Sequence, residues 1–140
     1  MSRKDSVEKL ANVSLFSACS GRDLQRIAKA SDTVDIESGT QLMDQGDVGR
    51  QAFIILEGTA VVRRGGRKVA DLGPGDTAGE LSLLDLGPRT ASVIATSDMR
   101  VLVLTARALT ALIDETPSLA RKLLAAMAGR IRELDRKIFG

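Results

Sequence analysis

The chain has 140 residues, 44% of them apolar, and 20 Lys and Arg against 18 Asp and Glu give a net charge of +2. That length fits one domain with a real core, the apolar share excludes disorder, and the near balance of charge argues against a dedicated nucleic-acid surface. With no His and a single cysteine, Cys19, the commonest general base, the commonest metal ligand and an internal disulfide are all excluded.

The N-terminus, MSRKDSVEKLANV, has no long apolar stretch after its basic residues, and no run elsewhere approaches the length of a membrane span. A cytoplasmic protein without membrane contact is expected. Nothing pairs a nucleophile with a base, so no catalytic residue, no metal ligand and no cofactor is assigned, and the chain is not expected to be an enzyme.

Residues 1–30 read as helices. Val7, Leu10, Ala11 and Leu15 recur at helical spacing. Ser20 and Asp23 have capping-box spacing at the start of a second helix, with Leu24, Ile27 and Ala28 on one face. Residues 32–106 read as strands broken by turns. Thr33–Ile36 alternates, Phe53–Leu56 is a short apolar run, and Gly58 precedes Thr59–Val62. Gly65-Gly66 is a hairpin signal before Lys68–Leu72, and Pro74-Gly75 marks the next turn. Val93–Ala95 and Val101–Leu104 complete the set. This spacing predicts a mainly β fold with flanking helices, an eight-stranded jelly-roll-like β-roll.

Residues 107–138 read as helices again. Thr105 is placed to cap a short helix through Ile113. Thr116-Pro117 pairs a capping hydroxyl with Pro at the first helical position. The last helix carries Leu119, Leu123, Met127, Ile131, Leu134 and Ile138 as one apolar stripe, suited to packing on the roll or to a homodimer seam. The whole chain, 1–140, is expected to form a single domain.

The stretch AGELSLLDLGPRTASVIA, residues 78–95, carries the chemistry. Gly79 follows a predicted strand and opens a helical turn, where free N–H groups face an anion and the absent side chain permits close approach. Arg89 offers a planar, permanently charged fork that suits a phosphate. Glu80 is placed to accept from a sugar hydroxyl, and Thr90 adds a hydroxyl beside the Arg. Chemistry alone leaves a second reading open, in which Glu80 and Arg89 are an ion pair under a loop and Gly79 is an ordinary turn residue.

Order and spacing decide between them. Gly-Glu-Leu-Ser-Leu-Leu followed by Pro-Arg-Thr-Ala-Ser-Val resembles the phosphate-binding cassette of the cyclic nucleotide-binding domain family, placed here at 78–91. QGDVG at 45–49, Phe53–Gly58 and DLGPGD at 71–76 resemble the family's flanking turns and strand, so the resemblance covers nearly the full chain. It implies that Arg89 pairs with the cyclic phosphate and that Glu80 accepts from the ribose 2′-hydroxyl. It also implies that backbone N–H groups around Gly79, Leu81, Ser82 and Ala91 line the pocket. Thr90 matches a position that suits cyclic AMP and also cyclic GMP, so cyclic AMP is favoured and cyclic GMP stays open. Gly39, Gly46, Gly49, Gly58 and Gly75 read as turn glycines.

The chain has no Tyr or Trp to stack on a base, which leaves Arg130, Arg132, Arg136 or an aliphatic residue to cover it. The resemblance implies a sensor that couples ligand binding to movement of its last helix and acts on a protein effector. Two alternatives stand beside it: a dimerisation module with a vestigial pocket, and a truncated catabolite-activator-type transcription regulator. Direct DNA binding is not expected, because no helix-turn-helix follows the last helix.

Overall fold

A computed structural model describes residues 3–139. Eight strands form two antiparallel four-stranded sheets, with helices before and after them, as the turn spacing predicts. The first sheet has the order β1 (Asp32–Ile36), β8 (Met99–Thr105), β3 (Gln51–Glu57), β6 (Thr77–Ala78). The second has the order β2 (Gln41–Met43), β7 (Ser92–Ala95), β4 (Ala60–Arg64), β5 (Arg67–Leu72). The order shows the crossovers of a jelly-roll-like sandwich, in which chain neighbours are often not sheet neighbours.

The period of two along β3 divides the core. Ala52, Ile54 and Leu56 face a cluster with the helices, while Phe53 and Ile55 face the space between the sheets. β8 does the same, with Leu102 and Leu104 toward the helices and Met99 and Val101 toward the second sheet. The unbroken apolar run Phe53–Leu56 is therefore a strand covered on both faces, which alternation alone does not describe. Replacing a fully buried residue such as Ile54 by Ala removes about 2–5 kcal/mol of stability.

The helices form a third layer. α1 (Arg3–Leu10) ends before Val13, and a 3₁₀ turn at Ser14–Phe16 follows. One apolar periodicity through Leu15 thus spans two elements, since Leu10, Val13, Leu15 and Phe16 all reach the same cluster from either side of the break. α2 (Gly21–Ala30) begins with the expected capping box, in which Ser20 Oγ accepts from Asp23 N–H and Asp23 accepts from Ser20 N–H.

Thr105 caps α3 (Ala106–Glu115) by accepting from Ala108 N–H. α4 (Ser118–Phe139) starts one residue beyond Pro117. Thr116 is the C-cap of α3, and its hydroxyl accepts from Arg26 at 2.8 Å instead of capping α4. The α4 stripe changes character along its length. Leu119 and Leu123 are buried against the roll, whereas Ile131, Leu134 and Ile138 are exposed. Among the described residues no helix is long and apolar enough to cross a membrane.

Candidate functional site

The 78–91 segment leaves the first sheet at β6, where Ala78 pairs with Phe53. Gly79 turns the chain with φ +76, a conformation that disfavours any side chain. A Cβ there would also strike Arg89 Nη1 and stand 3.1 Å from the Gln51 carbonyl oxygen. A four-residue 3₁₀ turn, Glu80–Leu83, follows. Leu83 anchors it by entering the core cluster shared with the helices. Within the turn, Ser82 N–H donates to Gly79 O, so the contribution of Ser82 to the site is its hydroxyl.

Arg89 is fixed from behind by the loop between β2 and β3. Its N–H donates to Asp47 O at 2.6 Å, and its carbonyl accepts from Gly46 N–H at 2.9 Å. Gly49 N–H donates to Gly87 O, and Val48 bridges Pro88. These main-chain bonds present the guanidinium inward, where Nη1 donates to Ser82 Oγ at 2.9 Å. Arg89 is 9% exposed, and no ion pair to it occurs among the described residues. Burial lowers its pKa from the ordinary value, but a guanidinium stays protonated, so the site holds an uncompensated buried cation.

Glu80 does not pair with Arg89. Its Oε1 accepts from Arg130 Nη1 at 2.9 Å and from Ser14 Oγ at 3.2 Å, and Leu15 N–H lies 3.4 Å from Oε2. The carboxylate is 16% exposed and joins the 78–91 segment to both the N-terminal 3₁₀ turn and α4. Four acceptor positions on a carboxylate leave room for a further donor.

Between these groups lies a cavity of about 360 Å³, lined by Gly79, Glu80, Leu81, Ser82, Arg89, Thr90, Arg130 and others. Six of the seven residues singled out in the sequence thus meet at one concavity of ligand size. Ala91, the seventh, is buried and does not line it. Thr90 lines it from an exposed position, while its carbonyl accepts from Arg64. Of Arg130, Arg132 and Arg136, the three last-helix arginines considered for covering the base, Arg130 alone contributes to the lining.

Gly49 has a role that its reading as a turn glycine missed. Its φ is not in the positive range, and a Cβ there would collide with Ser82 Oγ and come within 2.8 Å of Arg89 Cζ and Nε. The requirement is space for the guanidinium. The QGDVG run at 45–49 carried the signal, but only packing ties it to a residue 40 positions later.

A family model for the cyclic nucleotide-binding domain matches residues 33–116. The chain belongs to the cyclic nucleotide-binding domain family. The matched span of this cyclic nucleotide-binding domain runs from β1 to the end of α3 and contains the whole 78–91 segment. The chain is 40% identical over 102 residues to the cyclic AMP receptor protein of Thermus thermophilus, covering 69% of this chain and 47% of that one. It is 28% identical over 139 residues to the CRP-like cAMP-activated global transcriptional regulator of Mycobacterium tuberculosis, covering 94% and 61%. Among solved structures it is similar to the N-terminal domain of a transcriptional regulator from Streptomyces coelicolor. That match has a TM-score of 0.80 and 31% identity, and covers 89% of this chain and 90% of the other. The chain thus spans 47% and 61% of the length of the two curated relatives named.

Proposed function

We propose that this cyclic nucleotide-binding domain is a non-catalytic sensor that binds a cyclic nucleotide, with cyclic AMP favoured, in the cavity between Arg89 and Glu80. The observation that carries the reading is the state of Arg89: a buried cation whose guanidinium has one neutral side-chain partner among the described residues, Ser82, and faces a cavity of about 360 Å³. An anionic phosphodiester would compensate it with a charge-assisted, two-pronged contact. Glu80 supplies an acceptor for a ribose hydroxyl, and Thr90 a hydroxyl beside the phosphate. Arg130 is the last-helix residue positioned to cover the base.

The same reading gives the coupling. Arg130 and Ser14 hold Glu80 from α4 and from the N-terminal turn. A ribose hydroxyl arriving at Glu80 changes the environment of both contacts and therefore the position of α4. A ligand shifts such an equilibrium only through its different affinity for the two arrangements. Isothermal titration with cyclic AMP and cyclic GMP tests the binding: saturable heat is expected, stronger for cyclic AMP. No heat for either nucleotide at millimolar concentration overturns the reading.

A second reading, homodimerisation through α4, is favoured by the pattern of exposure. Leu124, Met127, Ile131, Leu134 and Ile138 follow steps of three and four, the spacing of a coiled-coil seam. Leu124, Ile131, Leu134 and Ile138 are 53–72% exposed. Burying them against a second α4 would remove the longest exposed apolar stripe of the helix. Sedimentation of the wild type and of Ile131→Glu tests it: a dimer that becomes a monomer is expected, and a monomeric wild type overturns it.

A further inference from the structure

A second, larger concavity borders the same 78–91 segment. It is an open groove of about 990 Å³ between that segment and α3. Leu83 forms buried lining, while Leu84 and Leu86 stand 47% and 56% exposed. From α3 come Arg107, Thr110, Ala111 and Asp114, whose spacing of three and four places them on one helix face. Arg50 enters beside them from just before β3, because Ala106 N–H donates to Arg50 O at 2.9 Å. The groove shares no lining residue with the Arg89 cavity.

Its charges are distributed unevenly. Arg50 and Arg107 are exposed at one end, and neither has a side-chain hydrogen bond or ion pair among the described residues. Asp114 lies two turns along α3 from Arg107, toward the other end. Arg107 sits in the first turn of α3, which contains no acidic residue. A cation there opposes the helix dipole, so its place is not explained by helix stability. Exposed leucines beside unpaired guanidinium groups form a surface apolar in the middle and cationic at one end.

We propose that this groove docks an amphipathic segment of a partner protein. Its apolar side chains lie on Leu84, Leu86 and Ala111, and its carboxylates meet Arg50 and Arg107. The apolar contact supplies affinity, and the charges at the end set orientation and partner choice. The proposal does not rest on nucleotide binding, and it gives the domain a contact through which to act on another protein.

Fluorescence anisotropy with a fluorescein-labelled helical peptide about four turns long, with Leu at helical spacing and Glu between, tests it. The same peptide with Lys in place of Glu is the control. The wild type is expected to bind the Glu peptide saturably and the Lys peptide at least about tenfold more weakly. Arg50→Glu with Arg107→Glu is expected to reverse that preference while the heat of nucleotide binding is retained, and Leu86→Ser is expected to weaken binding of the Glu peptide. Equal binding of the two peptides by the wild type, or a double variant that binds the Glu peptide as the wild type does, overturns the proposal. Nucleotide calorimetry reads different residues, so failure of the sensor reading is seen separately.

Discussion

Arg130 on α4 donates a 2.9 Å hydrogen bond to Glu80 in the 78–91 segment, across 50 positions of sequence. The pair is the direct link between the long C-terminal helix and the candidate pocket. Arg130 is 41% exposed, so solvent screening limits its contribution to overall stability to about 0–1 kcal/mol. The expected effect of Arg130→Ala is therefore local. Hydrogen exchange should quicken for amides in the second half of α4, while the β3 and β8 amides stay protected. Unchanged exchange in α4 would show that the pair does not hold the helix.

Arg89 separates stability from binding. Arg89→Met keeps much of the side-chain volume and removes a buried cation whose side chain has, among the described residues, a hydroxyl as its partner. Thermal unfolding should occur at the wild-type temperature or above it. Nucleotide affinity should fall by about 2–5 kcal/mol, because the ligand's phosphate would then be desolvated without a partner. A variant that melts well below the wild type would assign Arg89 to the fold instead.

Gly49→Ala tests the space behind the guanidinium. The atoms a methyl group would meet belong to the side chains of Ser82 and Arg89, not to the main chain. The fold is expected to survive with a cost of about 1–3 kcal/mol. Nucleotide affinity is expected to drop by about tenfold or more, because the displaced guanidinium loses its alignment. Circular dichroism melts beside calorimetry separate the two effects. Affinity equal to that of the wild type would remove Gly49 from the site.

Asp23 gives the chain an acid-sensitive clasp. Its carboxylate accepts from Lys122 of α4 and completes the capping box of α2. The Lys122 bond, helped by the Ser20 contacts and opposed by burial, holds its pKa below the ordinary value. A depressed folded-state pKa contributes stability above the unfolded value of about 3.9, lost as pH falls through the lower folded value. Urea unfolding at a series of pH values should show the advantage of the wild type over Asp23→Asn near neutrality shrinking below about pH 4. A difference that does not change with pH would rule out this linkage.

Cys19 reports on the same corner. Burial first, and then the negative charge of Asp23, push its thiol up to about 11, with Lys122 opposing. Little thiolate exists near neutral pH, so iodoacetamide should alkylate the folded protein far more slowly than the urea-unfolded chain. Lys122→Met removes the opposing charge and should slow alkylation of the folded state further. Equal rates in folded and unfolded protein would contradict the burial.

The local code was legible in the residues themselves. The Ser20–Asp23 capping box, the Thr105 cap, the Gly65-Gly66 hairpin and the turn at Gly79 each depend on a few neighbouring positions, and each forms as read. So did the two-sided β-roll, because strand period and turn spacing are local quantities. The resemblance of 78–91 to the family's phosphate-binding cassette indicated a pocket, where the chemistry of its residues alone left an ion pair under a loop open. What the sequence left open required distance. That Glu80 pairs with Arg130 and not with Arg89 depends on where α4 crosses the roll. That Gly49 must lack a side chain depends on the β2–β3 loop lying against Arg89. That the apolar stripe of the last helix is buried at Leu119 and Leu123 and exposed at Ile131, Leu134 and Ile138 depends on where the roll ends beneath it. Hydrophobic period specifies a face, but only the packed neighbours determine whether that face is covered.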